Sequence, residues 1–226
     1  MTLLFCIATG IILLKEASGK EAAESFLPME QQAVLIIDPG HGGADGGAVA
    51  ADGTKESELN LQISMKIKSL SDLLGIKSVI IRETEELPYP ESAGTIAEKK
   101  VWDQHRRLQL INFYDEAVLI SVHQNFYPDS RPAGPQVLYS DMPEAKALGE
   151  ICHDLLNSNL CPQNRRVASP ASDKIYLMKN AKCPAILVEC GFLSNPSELQ
   201  LLKDNTYQKK LAAIILASYI GLYCSG

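Results

Sequence analysis

A short apolar run, Val34-Leu35-Ile36-Ile37, halts at Asp38-Pro39-Gly40-His41-Gly42-Gly43. Its β-branched residues favour a strand, and proline and glycine end that strand abruptly. A histidine stands at the stop. The two glycines after it leave the backbone free to approach whatever the histidine binds. Open α/β sheets place their chemistry just beyond the carboxyl ends of buried strands. His41 is therefore a candidate ligand or catalyst.

The rest of the chain alternates strand and helix. A helix is expected from about Ser57, with Leu59, Ile63, Ile67, Leu70 and Leu74 on one face and Gly75 as its stop. Ser78–Arg82 reads as a second strand. Leu87 to about Gly94 carries Pro88 and Pro90 and reads as loop. Ala97–Phe113 is helical, Ala117–Val122 a third strand, Gln136–Tyr139 a strand near an edge, and Pro143–Asn157 a helix with proline in its first turn. Lys174–Met178 and Ala185–Val188 read as short strands, and Pro196–Lys203 and Tyr207–Leu222 as closing helices. This order predicts a single α/β domain: a twisted, mostly parallel (mixed) sheet flanked by helices on both faces.

Composition fits that reading. With 46% hydrophobic and 21% charged residues, the chain can fill a core. A formal net charge of −6 argues against a nucleic-acid partner, which calls for a basic surface. The apolar stretch Leu3–Leu14 is shorter than the roughly 20 residues of a membrane span and fits a signal-peptide core. Residues 1–19 are thus expected to be a signal peptide or membrane anchor, 20–32 a linker, and 33–226 the catalytic domain. The protein is expected to be exported. The cysteines match no zinc-finger spacing. Export would allow Cys152–Cys161 or Cys183–Cys190 disulfides, while the plainer reading makes most of them small buried hydrophobes.

Three further residues share the position of His41. Glu56 precedes the first long helix, His123 closes the third strand, and Glu189 follows Ala185-Ile186-Leu187-Val188. Parallel strands bring such ends to one sheet edge. Two histidines and a carboxylate meeting there are a ligand set typical of catalytic zinc, and a second carboxylate is a candidate general base. Each has a plain alternative. Glu56 suits the first turn of any helix, and His123 suits a hydrogen-bonded loop. Glu189 is harder to dismiss, because an unpaired buried carboxylate is costly. Cys190 as a thiol nucleophile with His123 is disfavoured, since a strand of this kind buries its thiols. Asp45 stands where a dinucleotide fingerprint needs its third glycine, and no phosphate-loop motif exists.

The stretches Asp38-Pro39-Gly40-His41-Gly42-Gly43, Ser121-Val122-His123-Gln124-Asn125 and Val188-Glu189-Cys190-Gly191-Phe192-Leu193-Ser194-Asn195 resemble the zinc-dependent N-acetylmuramoyl-L-alanine amidases of the Amidase_3 type. The resemblance runs from about Val34 to Tyr223. It implies that His41, Glu56 and His123 bind Zn²⁺ and that Glu189 is the catalytic base. It also matches Arg107 and Asn112 to the family's Arg…Asn helix, and Asn125 with the Gly42-Gly43 amides are expected to help hold substrate. The implied substrate is peptidoglycan, cut between the lactyl group of N-acetylmuramic acid and L-alanine of the stem peptide. The insertion around Leu87–Trp102, the Lys174–Met178 strand and the single-domain plan resemble the spore-cortex, germination-specific subgroup. Those enzymes strip peptides so that a partner deacetylase can complete muramic-δ-lactam. A lipoprotein helper and a location at the cell wall, the membrane or the forespore intermembrane space are expectations of the same kind. Ile81-Arg82 and Glu85-Glu86 depart from the family pattern in a supporting loop. Two readings compete: a peptidoglycan-binding or partner-recruiting domain without metal, and a zinc peptidase of the stem peptide.

Overall fold

The computed structural model describes residues 33–224. The expected signal peptide or membrane anchor (1–19) and linker (20–32) lie outside them. Among the described residues, β1 (Val34–Pro39), β2 (Ser78–Ile80), β3 (Ala117–Asn125), β4 (Gln136–Tyr139), β5 (Ser169–Pro170) and β6 (Ala185–Phe192) form one sheet in the order β2-β1-β3-β6-β4-β5. β2, β1, β3 and β6 run parallel, and β4 returns antiparallel to β6. The sheet is mixed and mostly parallel, as expected.

The strands are apolar throughout because both faces are covered. Along β1, Leu35 and Ile37 enter one core, while Val34 and Ile36 enter the other. The first core is roofed by α1 (Glu56–Leu73), α3 (Pro143–Leu160), α5 (Pro196–Lys203) and α6 (Asn205–Tyr223). The second lies under α2 (Ile96–Ile111) and α4 (Tyr176–Asn180). α1 buries Leu59, Ile63 and Ile67 at helical spacing and ends before Gly75, whose φ of 70° suits glycine. α2 starts on a capping box: Glu98 N donates to Thr95 Oγ1, and Thr95 N donates to Glu98 Oε2. Among the described residues, no helix is long and apolar enough to cross a membrane.

One element differs in kind. Lys174–Met178 is not a strand: Tyr176 onward forms α4, and Met178 packs into the second core. Ile175 and Met178 fit a helical face as well as the run fits a short strand, and five residues cannot decide between them. The strand beside β4 is instead Ser169–Pro170, a two-residue edge where proline is tolerated. This removes one of the three features that pointed to the spore-cortex subgroup. The cysteines follow the plainer reading: Cys152, Cys161, Cys183 and Cys190 are free and buried.

Candidate metal centre

β3 and β6 run further than their apolar cores. His123 and Glu189 therefore sit within adjacent strands and are register partners, with a bulge before Asn125. Leucine and valine neighbours fix the strands, and the two polar residues come up at the shared edge. β1 ends beside them, and the loop after it carries His41. Glu56 enters from the first residue of α1.

One donor atom from each of His41, Glu56 and His123 lies within 4.8 Å of the others. His41 Nε2 is 3.2 Å and His123 Nδ1 is 2.9 Å from the same oxygen, Glu56 Oε1. The imidazole rings stand edge to face, their centroids 5.0 Å apart. Two nitrogens and a carboxylate oxygen converging on one point are the donor chemistry of a zinc site. Burial opposes the charge on Glu56, but the hydrogen bonds from His123 and His41 hold its carboxyl well below the usual range. Burial likewise opposes a proton on His41. Hydrogen bonds to Asp45 and Glu56 outweigh it and raise this imidazole to about 9.

Glu56 is locked by further bonds. Its Oε2 accepts from Ala48 N at 3.0 Å, and its Oε1 from Gln124 N at 3.2 Å. Glycines permit the crowding. A Cβ on Gly40 would sit 2.3 Å from the His123 ring, and one on Gly47 would sit 2.6 Å from Glu56 Oε2. His41 itself has φ 60°, uncommon for a residue with a side chain. Arg107 Nη2 donates to its carbonyl at 2.5 Å and holds that turn.

Glu189 differs from the other three. The residue keeps some solvent contact, yet its Oε2 is buried and makes no hydrogen bond. A buried carboxylate oxygen without a partner calls for an explanation. Burial pushes the Glu189 carboxyl up to about 7, with the Glu56 charge adding to the rise and His123 and His41 opposing it.

The supporting residues sort clearly. Arg107 is buried and fully occupied, donating to Asp38 Oδ1, to Pro39 O at 2.8 Å and to Asp103 Oδ2 at 2.7 Å. It supports the loop and has no free donor edge for substrate. Asn125 lies at the site edge, pairing with Phe192. Asn112 does not join them: it caps α2, donates to Asn180 O at 3.4 Å and accepts from Lys182 N at 2.9 Å. The Gly42 and Gly43 amides are also spent within the protein, on Asp45 O at 2.8 Å and Glu85 O at 2.6 Å, so they are not free for substrate. A cleft of about 480 Å³ borders this turn, with Gly43, Lys55, Glu86, Tyr89 and Lys99 in its walls. Cys190 is no nucleophile, since burial drives its thiol far above the ordinary range.

Arg82 is the main residue the sequence reading undervalued. It donates to Pro39 O at 3.0 Å, Gly40 O at 3.0 Å and Ser57 O at 2.8 Å, joining the His41 loop to α1. An arginine directly after an apolar strand, Val79-Ile80-Ile81, was the available signal. Asp38 works with it on the same turn. It pairs with Arg107 and accepts from Ser121 Oγ at 2.6 Å.

The class this fold and site define is that of the N-acetylmuramoyl-L-alanine amidases. Residues 35–219 match the model of that family, Amidase_3, and the chain belongs to it. Among relatives, the germination-specific N-acetylmuramoyl-L-alanine amidase of Bacillus subtilis (strain 168) is 33% identical over 183 residues, which cover 80% of this chain and 76% of that protein. Among solved structures, the CwlD amidase from Clostridioides difficile, in complex with the GerS lipoprotein, superposes with a TM-score of 0.79 at 33% identity, covering 84% of this chain and 98% of that one. An N-acetylmuramoyl-L-alanine amidase from Clostridium difficile 630 gives 0.71 at 27% identity over 84% and 96%.

Proposed function

We propose that this amidase is zinc-dependent, with His41, Glu56 and His123 as ligands and Glu189 as general base. It cuts the amide between the N-acetylmuramic acid lactyl group and L-alanine of the stem peptide. One observation carries the reading: three donor atoms meet within 4.8 Å beside a buried carboxylate oxygen that has no partner. Zinc at such a site supplies an activated water and a Lewis acid for the amide carbonyl. The chain's own residues do the rest. Glu189 Oε2 takes the proton from the attacking water and delivers it to the leaving amine of L-alanine. Its unpartnered oxygen leaves it free to accept that proton and give it up again. Asn125 flanks the reacting groups on the β3 side. Arg82 and Arg107 hold the His41 turn so that the imidazole keeps its aim.

The likeness to the germination-specific relative supports a role in spore-cortex peptidoglycan, where peptide removal precedes closure of muramic-δ-lactam by a partner deacetylase. The relative solved with a lipoprotein supports a helper of that kind, and a peptidoglycan substrate supports a location outside the cytoplasm. Glu189→Ala should abolish muropeptide cleavage and keep bound zinc near the wild-type level. His41→Ala and Glu56→Ala should lose both. Full activity in Glu189→Ala would remove the base assignment, and stoichiometric zinc in the other two would remove the ligand set.

A further inference from the structure

Asp45 lies four residues past His41 and has no place in the ligand set. Its contacts give it one. Asp45 Oδ2 is 2.9 Å from His41 Nδ1, on the far side of the ring from Glu56. The same oxygen is 2.9 Å from Lys100 Nζ, which reaches in from α2. Its other oxygen accepts from Gly47 N at 3.2 Å. Gly47 is the residue whose backbone is wedged against both His41 and Glu56, where a Cβ would approach to 2.8 and 2.6 Å. Asp45 therefore touches the ring of one ligand and the strut between two.

A carboxylate only accepts hydrogen bonds. Both ring nitrogens of His41 face carboxylates, so it is a cation taking the Nε2 lone pair that would leave the ring proton on Nδ1, where Asp45 accepts it. Carboxylate–histidine pairs of this geometry fix both tautomer and ring direction for a metal ion. We infer that Asp45 is a positioning residue that sets the tautomer and aim of His41, and that Lys100 couples this bridge to α2. α2 then holds His41 at two points, with Arg107 on its carbonyl and Lys100, through Asp45, on its ring. The inference rests on the zinc reading above. Lys100 is about half exposed, so its share is the smaller one.

The test is zinc affinity of the purified full chain, measured by competition with a chromogenic chelator, alongside the visible spectrum of the Co²⁺-substituted protein. Asp45→Ala should weaken zinc binding by about 10- to 100-fold and shift the Co²⁺ bands, while the metal-free protein stays folded at the assay temperature. Asp45→Asn keeps an acceptor and should lose less. Lys100→Met should lose a few-fold, and nothing further when combined with Asp45→Ala. Wild-type affinity and an unshifted spectrum in Asp45→Ala would overturn the inference, as would a metal-free variant that is unfolded at the assay temperature. An additive Lys100→Met effect would remove Lys100 from the bridge. Failure of the zinc reading is separate: wild type would bind no zinc, or His41→Ala would bind it equally well.

Discussion

Replacing Glu189 with glutamine should abolish activity and yet stabilise the metal-free protein at neutral and alkaline pH. The carboxyl sits at about 7 in the folded chain, against an ordinary value of 4.5. A carboxyl raised by folding contributes stability that is complete below pH 4.5 and is lost as pH climbs through 7. At about 1.4 kcal/mol per pH unit, that rise corresponds to up to about 3 kcal/mol. Glu189→Gln has no proton to lose, so it escapes the penalty. Its buried amide brings a cost of its own, but that cost does not vary with pH. The signal is therefore the difference in unfolding free energy between the two proteins. Urea denaturation in excess chelator should show it flat below pH 4.5, growing in favour of glutamine to about pH 7.5, and flat again above. A pH-independent difference would refute the reasoning, as would a difference that grows in the opposite direction.

Three more outcomes are expected. His41 is raised to about 9 without metal, so zinc must displace its proton; the apparent zinc affinity should rise about tenfold per pH unit from 6 towards 9 and level off above, measured by calorimetry in buffers of different ionisation enthalpy. A pH-independent affinity would contradict this. Arg107→Ala leaves Asp38 as a buried charge whose remaining side-chain hydrogen bond is from Ser121 Oγ, and should cost about 3–5 kcal/mol in chemical denaturation, where a loss under 1 would be inconsistent. Gly40→Ala puts a methyl carbon 2.3 Å from the His123 ring, so that ring must move; zinc affinity should fall at least about tenfold, and unchanged affinity would show that the loop yields instead.

The four central residues were legible because each breaks an apolar pattern at a strand end or helix start. Glu189 follows four buried residues with no local partner, and only a functional reason or a long-range one accounts for it. The parallel sheet then does the gathering, since β1, β3 and β6 are neighbours. What stayed hidden depends on contacts between distant positions. Arg107 reaches Asp38 across 69 residues of sequence, and Lys100 reaches Asp45 from a helix whose spacing marks it as a surface residue. The Gly42-Gly43 amides differ from expectation for a related reason. Glycines announce free backbone, but not what fills the space, which here is Arg82 and Tyr89. The Lys174–Met178 error is of another kind, a run too short for periodicity to choose between helix and strand.

Zinc-dependent amide cleavage is tested by digesting purified peptidoglycan with and without chelator and identifying the products by mass spectrometry. The expected products are intact stem peptides bearing a free L-alanine amine, lost on chelation, restored by Zn²⁺, and never formed by Glu189→Gln. Cleavage within the stem peptide, or amidase products that persist in full without metal, would contradict it.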